Sequence, residues 1–163
     1  MRIIHLTAIL LVVFLFTLTA FSCMEPFNID EISSIGVVVH NHWTEDNIND
    51  GKTVYIDLAN ARNECIGGSV SIEPLTVRIS IRGLDESYQD YSVLLFDKTY
   101  QDSIYSEISY PQGQGILVLY DELEEYEQEC CTAIWAEVTL PDGRVVRNNE
   151  PYDFDITPAT AWQ

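Results

Sequence analysis

Basic side chains are scarce in this chain: 8 Lys and Arg stand against 26 Asp and Glu, a formal net charge of −18. Only Lys52 and Lys98 are lysines. Nothing here could neutralise a phosphate backbone, so nucleic acid is excluded as a partner. Electrostatic docking onto anionic lipid heads is disfavoured for the same reason. Histidine is nearly missing too. His5 lies in an N-terminal apolar segment, which leaves His40 and His42 as the general bases available near neutrality. No G-x-S-x-G elbow, H-E-x-x-H pair, phosphate loop or dinucleotide fingerprint occurs. The chain therefore reads as a non-enzyme with no cofactor. A small polysaccharide hydrolase stays as an alternative, because paired carboxylates meet in space and not in sequence.

What is present begins at the N-terminus, MRIIHLTAILLVVFLFTLTAFSC. Arg2 gives a positive start, a largely apolar run from Leu6 to Phe16 follows, and small or polar residues lead to Cys23. That layout is an export signal over residues 1–22. The ending Leu18-Thr19-Ala20-Phe21-Ser22-Cys23 resembles the lipobox of bacterial lipoproteins in one of its looser forms. The resemblance implies that the mature chain starts at Cys23, carrying a diacylglycerol thioether and an acylated amino group. Each buried methylene adds about 0.8 kcal/mol of membrane affinity, so several acyl chains hold firmly. Met24 stands where an Asp would favour inner-membrane retention, which implies the outer membrane where the host has one. Two other readings stay open: an ordinary signal that releases a secreted chain, and an uncleaved anchor, since the 19 residues from Ile3 to Phe21 can span a hydrocarbon core.

Beyond the signal, residues 23–34 read as the lipidated cysteine and a short tether, and residues 35–163 as one domain. Period two dominates that domain. Leu75-Thr76-Val77-Arg78-Ile79-Ser80-Ile81-Arg82 is apolar on odd positions and polar on even ones, a strand with one wet face. Ile35, Val37, Val39 and Trp43 share a parity, as do Val54, Ile56 and Leu58, and Val70 with Ile72. Tyr91 to Phe96 and Ile104 to Tyr110 read as strands, and Ile116 to Tyr120 as a central strand buried on both faces. Ile134, Ala136, Val138 and Leu140 point inward along the next strand. Pro141-Asp142-Gly143 then turns the chain into a hairpin, and Tyr152, Phe154 and Ile156 mark a last strand. Asp121 to Glu129 breaks the rhythm, with six acidic residues in nine, and reads as a solvated helical turn pinned by Leu123 and Tyr126.

The fold class is thus all-β, a single antiparallel β-sandwich of about eight strands. Cys65, Cys130 and Cys131 remain for the domain, and Cys65 with either of the other two would close a loop of about 65 residues, worth roughly 4 kcal/mol. The core resembles an immunoglobulin-like or fibronectin type III-like sandwich. That resemblance implies a Cys65–Cys130 inter-sheet disulfide, although no Trp lies a dozen residues after Cys65 and Gln128 stands where a tyrosine corner wants Tyr.

His40-Asn41-His42 is the metal candidate, because residues two apart project from one strand face and could meet one zinc or copper ion, with Glu45 and Asp46 nearby. Polar residues at a strand end account for the pair more simply. The run Asp46 to Gly51 with Asp57 has some spacing of a calcium loop, but Ile48 occupies a ligand position and no helix flanks it. The expected function is a lipid-anchored cell-envelope protein whose sandwich is a binding or structural module, with the membrane and a protein or glycan as partners. An envelope metal-binding protein using His40 and His42 is the alternative.

Overall fold

The computed structural model describes residues 29–66, 72, 74–85, 90–124 and 132–154. The signal, Cys23, Cys130, Cys131, Val70, Tyr126 and Ile156 lie outside these residues, so the anchor, the cysteine pairing and parts of two expected strands fall outside them too. The structure is mostly β, with eight strands among the described residues: β1 (Ile32–Trp43), β2 (Asn49–Asn60), β3 (Leu75–Gly83), β4 (Val93–Ser103), β5 (Ile116–Leu119), β6 (Thr132–Thr139), β7 (Val145–Arg147) and β8 (Tyr152–Phe154). One short helix, α1 (Tyr105–Ile108), and two 3-10 turns, Ile29–Glu31 and Tyr120–Glu122, complete the described elements.

The strands form two sheets, β1-β2-β5 and β4-β3-β6-β7, with β8 also pairing to β6. Every pairing is antiparallel. Alternation explains how the sheets meet. Val54, Ile56 and Leu58 of β2 face Val77, Ile79 and Ile81 of β3 and Ile134, Ala136 and Val138 of β6 in one buried cluster. Removing such side chains from water is the main favourable contribution to folding, about 1.5–3 kcal/mol for each large one. At one end of this interior Lys52 shares the inward parity of Val54. It is buried, its Nζ donates to Asn41 Oδ1 at 2.6 Å, and it lies 5.4 Å from the Phe154 ring centroid.

The β6–β7 hairpin turns where Pro141-Asp142-Gly143 was expected to turn it. Gly143 adopts φ +86, which glycine tolerates best, its N–H donates to Leu140 O, and Asp142 Oδ1 accepts from Arg144 N–H. The Arg144 guanidinium then reaches across to the other sheet, donating to Ile29 O at 2.6 Å and to Ile32 O at 2.9 Å. Ile32 is buried, so β1 begins inside the segment expected to be a tether.

Three further expectations are corrected. Residues 104–110 are not a strand: Tyr105 and Ile108, three apart, both bury on one side, which a helical turn permits and a strand with one wet face does not. β4 instead extends to Ser103. β5 is an edge strand paired only to β2 among the described residues, so Leu117 faces solvent at 40% exposure while Ile116 and Val118 face the core. A register shift between His42 and Trp43 turns Trp43 away from the parity of Ile35 and leaves it 45% exposed. In the acidic segment the described part is the 3-10 turn Tyr120–Glu122, with Leu123 half-buried against the core.

Candidate functional site

His40 and His42 do emerge on one outward face of β1, opposite Thr53 and Gly51 of β2. Their surroundings then diverge. His42 Nδ1 is 2.7 Å from Asp50 Oδ1, while the His40 ring packs edge-to-face on Tyr55 (5.4 Å) and Tyr110 (5.1 Å), which touch each other at 5.5 Å. Among the described residues no three His, Cys, Asp or Glu side chains group as metal ligands. Glu45 and Asp46 sit in the β1–β2 turn, where Thr44 Oγ1 accepts from Ile48 N–H and Thr44 N–H donates to Ile48 O. Asp57 lies far along β2 instead of closing that loop. Its carboxylate accepts from Tyr110 N–H at 3.2 Å, and burial raises its pKa against the effect of that hydrogen bond. Cys65 is exposed and bridges Ala59 just past β2, with no disulfide partner among the described residues.

The other sheet carries a more organised surface. β3 pairs with β4 and β6 so that Ser80 lies between Asp97 and Trp135, and Arg78 lies between Thr99 and Glu137. The Arg78 guanidinium makes a two-pronged contact with Asp97: Nε donates to Oδ1 at 2.8 Å and Nη2 to Oδ2 at 2.6 Å. Its Nη1 is 3.8 Å from Glu137 Oε2, and Glu137 Oε1 is 2.7 Å from Arg147 Nε on β7. The row Asp97–Arg78–Glu137–Arg147 thus crosses four strands with alternating sign. Hydrogen bonding to Arg78, aided by the charges of Arg78 and Arg82, holds the Asp97 carboxyl below its ordinary pKa despite some burial.

Beside this row the Tyr91 ring meets Trp135 edge-to-face, with centroids 5.7 Å apart at 71°. Arg78, Ser80, Arg82, Tyr91, Trp135 and Glu137 line an open groove of about 340 Å³. That is the low end of the range in which proteins hold small ligands. Arg82 is exposed and makes no ion pair among the described residues. The groove therefore offers a charged fork, an acceptor carboxylate, a hydroxyl and two aromatic rings on a rigid sheet.

These residues were within reach of sequence reasoning. The even parity of Arg78, Ser80 and Arg82, and the odd parity of Trp135 and Glu137, put both sets on wet faces. Nothing local marks β3 and β6 as neighbours, so the groove itself had no sequence signal. Compared with protein-family profiles, characterised proteins and solved structures, the chain matches none.

Proposed function

We propose that this chain is an exported, lipid-anchored recognition protein: a signal peptide removed before Cys23, acyl chains on that cysteine, and a non-catalytic immunoglobulin-like β-sandwich held at the cell envelope. The strand order supports the sandwich reading. Lettered from A with β4 as C′, the sheets are A-B-E and C′-C-F-G, the arrangement of Greek-key sandwiches of this class. Architecture alone leaves the activity open, so the function rests on the site.

The observation that carries recognition is the groove around Trp135, in which Arg78, Glu137 and the aromatic pair are held in place in advance. Arg78 is held on both sides, and the aromatic pair is locked edge-to-face, so little order remains to be gained on binding. Hydrolysis is less well supported by the same geometry, because among the described lining residues the groove holds one carboxylate, Glu137, where glycoside cleavage canonically uses a pair.

Two measurements test this reading. Mass spectrometry of the mature N-terminus is expected to find a diacylglyceryl group on Cys23; an unprocessed N-terminus or an unmodified cysteine removes the anchor. Wild-type protein and Trp135→Ala, matched in urea midpoint, are then compared for binding to purified envelope polysaccharide and protein fractions. Saturable binding lost in the variant is expected, and identical profiles for the two proteins refute recognition through the groove.

A further inference from the structure

We infer that the groove binds a carboxylate-bearing sugar, of the uronic acid class, with Arg82 as the anion anchor and Trp135 as the platform for the ring. This inference rests on the recognition reading above and adds the ligand chemistry. Arg78 cannot be the anchor, because Asp97 takes its fork and Glu137 its remaining side. Arg82, four residues further along the same face of β3, makes no ion pair among the described residues. In a chain of net charge −18, an exposed guanidinium lining a groove is a local exception. Its planar fork matches a carboxylate through two parallel hydrogen bonds.

The remaining lining fits a pyranose. One face of such a ring is a patch of C–H groups with a slight positive charge, which packs on the electron-rich face of an aromatic ring. Trp135, braced by Tyr91, supplies that face. Ser80 Oγ has no hydrogen bond among the described residues and sits beside Trp135 in the next strand. Glu137 retains acceptor capacity beyond its contacts with Arg147 and Arg78, as a carboxylate offers about four lone-pair sites. Both groups suit the ring hydroxyls. A volume of about 340 Å³ suits one or two sugar residues.

An acidic peptide would also meet Arg82, but its backbone would be left without partners. β3 and β6 are interior strands whose own backbone groups are engaged with β4, β7, β8 and each other. Strand addition is therefore closed at this site, and only side chains are offered. A ligand with polar groups around the rim of an apolar ring meets that requirement. A long polyanion does not, since one surplus guanidinium faces the repulsion of the whole acidic chain.

The test titrates the purified mature protein with three probes: a glucuronic acid–glucose disaccharide, cellobiose, and a short Glu-rich peptide. Calorimetry is the readout, supported by tryptophan fluorescence. The acidic disaccharide is expected to bind at least about tenfold more tightly than cellobiose, the scale of one charge-assisted contact. Arg82→Gln should erase that preference while leaving cellobiose binding within about twofold, and Trp135→Ala should weaken both sugars. Arg82→Lys, which keeps the charge without the fork, should fall between. All variants are first matched for urea midpoint. Equal binding of the two sugars, unchanged by Arg82→Gln, overturns the inference and leaves recognition standing. Binding of the peptide alone overturns it in favour of a protein partner. If no probe binds, the sugar assignment is lost, and the fraction comparison above decides separately whether the groove recognises anything.

Discussion

Tyr105→Phe removes one oxygen, and the structure says what that oxygen does. Tyr105 is completely buried, its hydroxyl donates to Ile66 O at 2.6 Å, and it accepts from Leu58 N–H at 3.2 Å. Ile66 N–H bonds directly to Leu58 O at 2.8 Å, so the phenol relays the return half of what would otherwise be a simple backbone pair. Phenylalanine keeps the ring and leaves the buried Leu58 N–H without a partner, while the half-buried Ile66 can recruit water. A lost hydrogen bond costs about 1 kcal/mol net, and a stranded buried group about 1–3 kcal/mol. The expected loss is therefore roughly 2–3 kcal/mol, or a Tm lower by roughly 10 °C for a domain of this size. Urea unfolding should show the midpoint falling with the slope unchanged. A loss under about 0.5 kcal/mol would refute the relay, because that is the effect of a surface substitution.

The same phenol predicts a pH dependence. Burial, the dominant cause, pushes its pKa up to about 12, against an ordinary value of 10.0. The unfolded chain ionises first, so stability is full below pH 10 and declines as pH rises toward about 12, by roughly 3 kcal/mol in all. Tyr105→Phe should flatten this alkaline limb without abolishing it, since burial also raises Tyr100 and Tyr120.

Further outcomes are expected elsewhere. Arg144→Met loses the bonds to Ile29 O and Ile32 O, so stability should fall by about 1–2 kcal/mol, with faster amide exchange at the start of β1. Gly51→Ala places a Cβ 2.5 Å from Val118 O, and prying β5 from β2 should cost about 1–3 kcal/mol in urea unfolding. On the acid side, hydrogen bonds from Arg78 lower Asp97 and one from Lys98 lowers Glu122. Depressed carboxylates contribute stability above their unfolded pKa and lose it as pH falls through the folded one, and exposure keeps the effect small. In Arg78→Met the Asp97 titration followed by NMR should move up toward its ordinary value. Zinc titration should show no saturable micromolar site at His40 and His42, because His42 is turned to Asp50 and no third ligand joins them among the described residues; tight binding lost in His40→Ala would overturn that.

Where apolar residues alternate, chemistry near in sequence was enough. Leu75 to Arg82 and Thr132 to Thr139 are strands whose inward sets are the ones their parity indicates, since a strand must turn alternate side chains to opposite faces; Ala133, on the outward parity of β6, is buried as well. The Pro-Asp-Gly turn was legible because its conformation is local. Residues 104–110 were not, because Ile104, Tyr105, Ile108 and Tyr110, spaced among polar residues, serve a strand or a helical turn equally well. The choice fell to a buried hydroxyl meeting Leu58 and Ile66, some forty residues away in the chain.

The chain's own residues therefore decide its charge, its β character and, on regularly alternating strands such as β3, which side chains face water, because those follow from composition and from a period of two. Neighbourhood was decided in three dimensions. Pairing β3 with β6 sets Arg78 against Glu137 and Ser80 against Trp135, over fifty residues apart, and leaves Arg82 beside a braced aromatic ring. His40 and His42 share a face from sequence alone, yet Asp50 and two tyrosines draw them to different partners. Strand order is a property of how whole sheets bury a common interior, and no short window of sequence contains it.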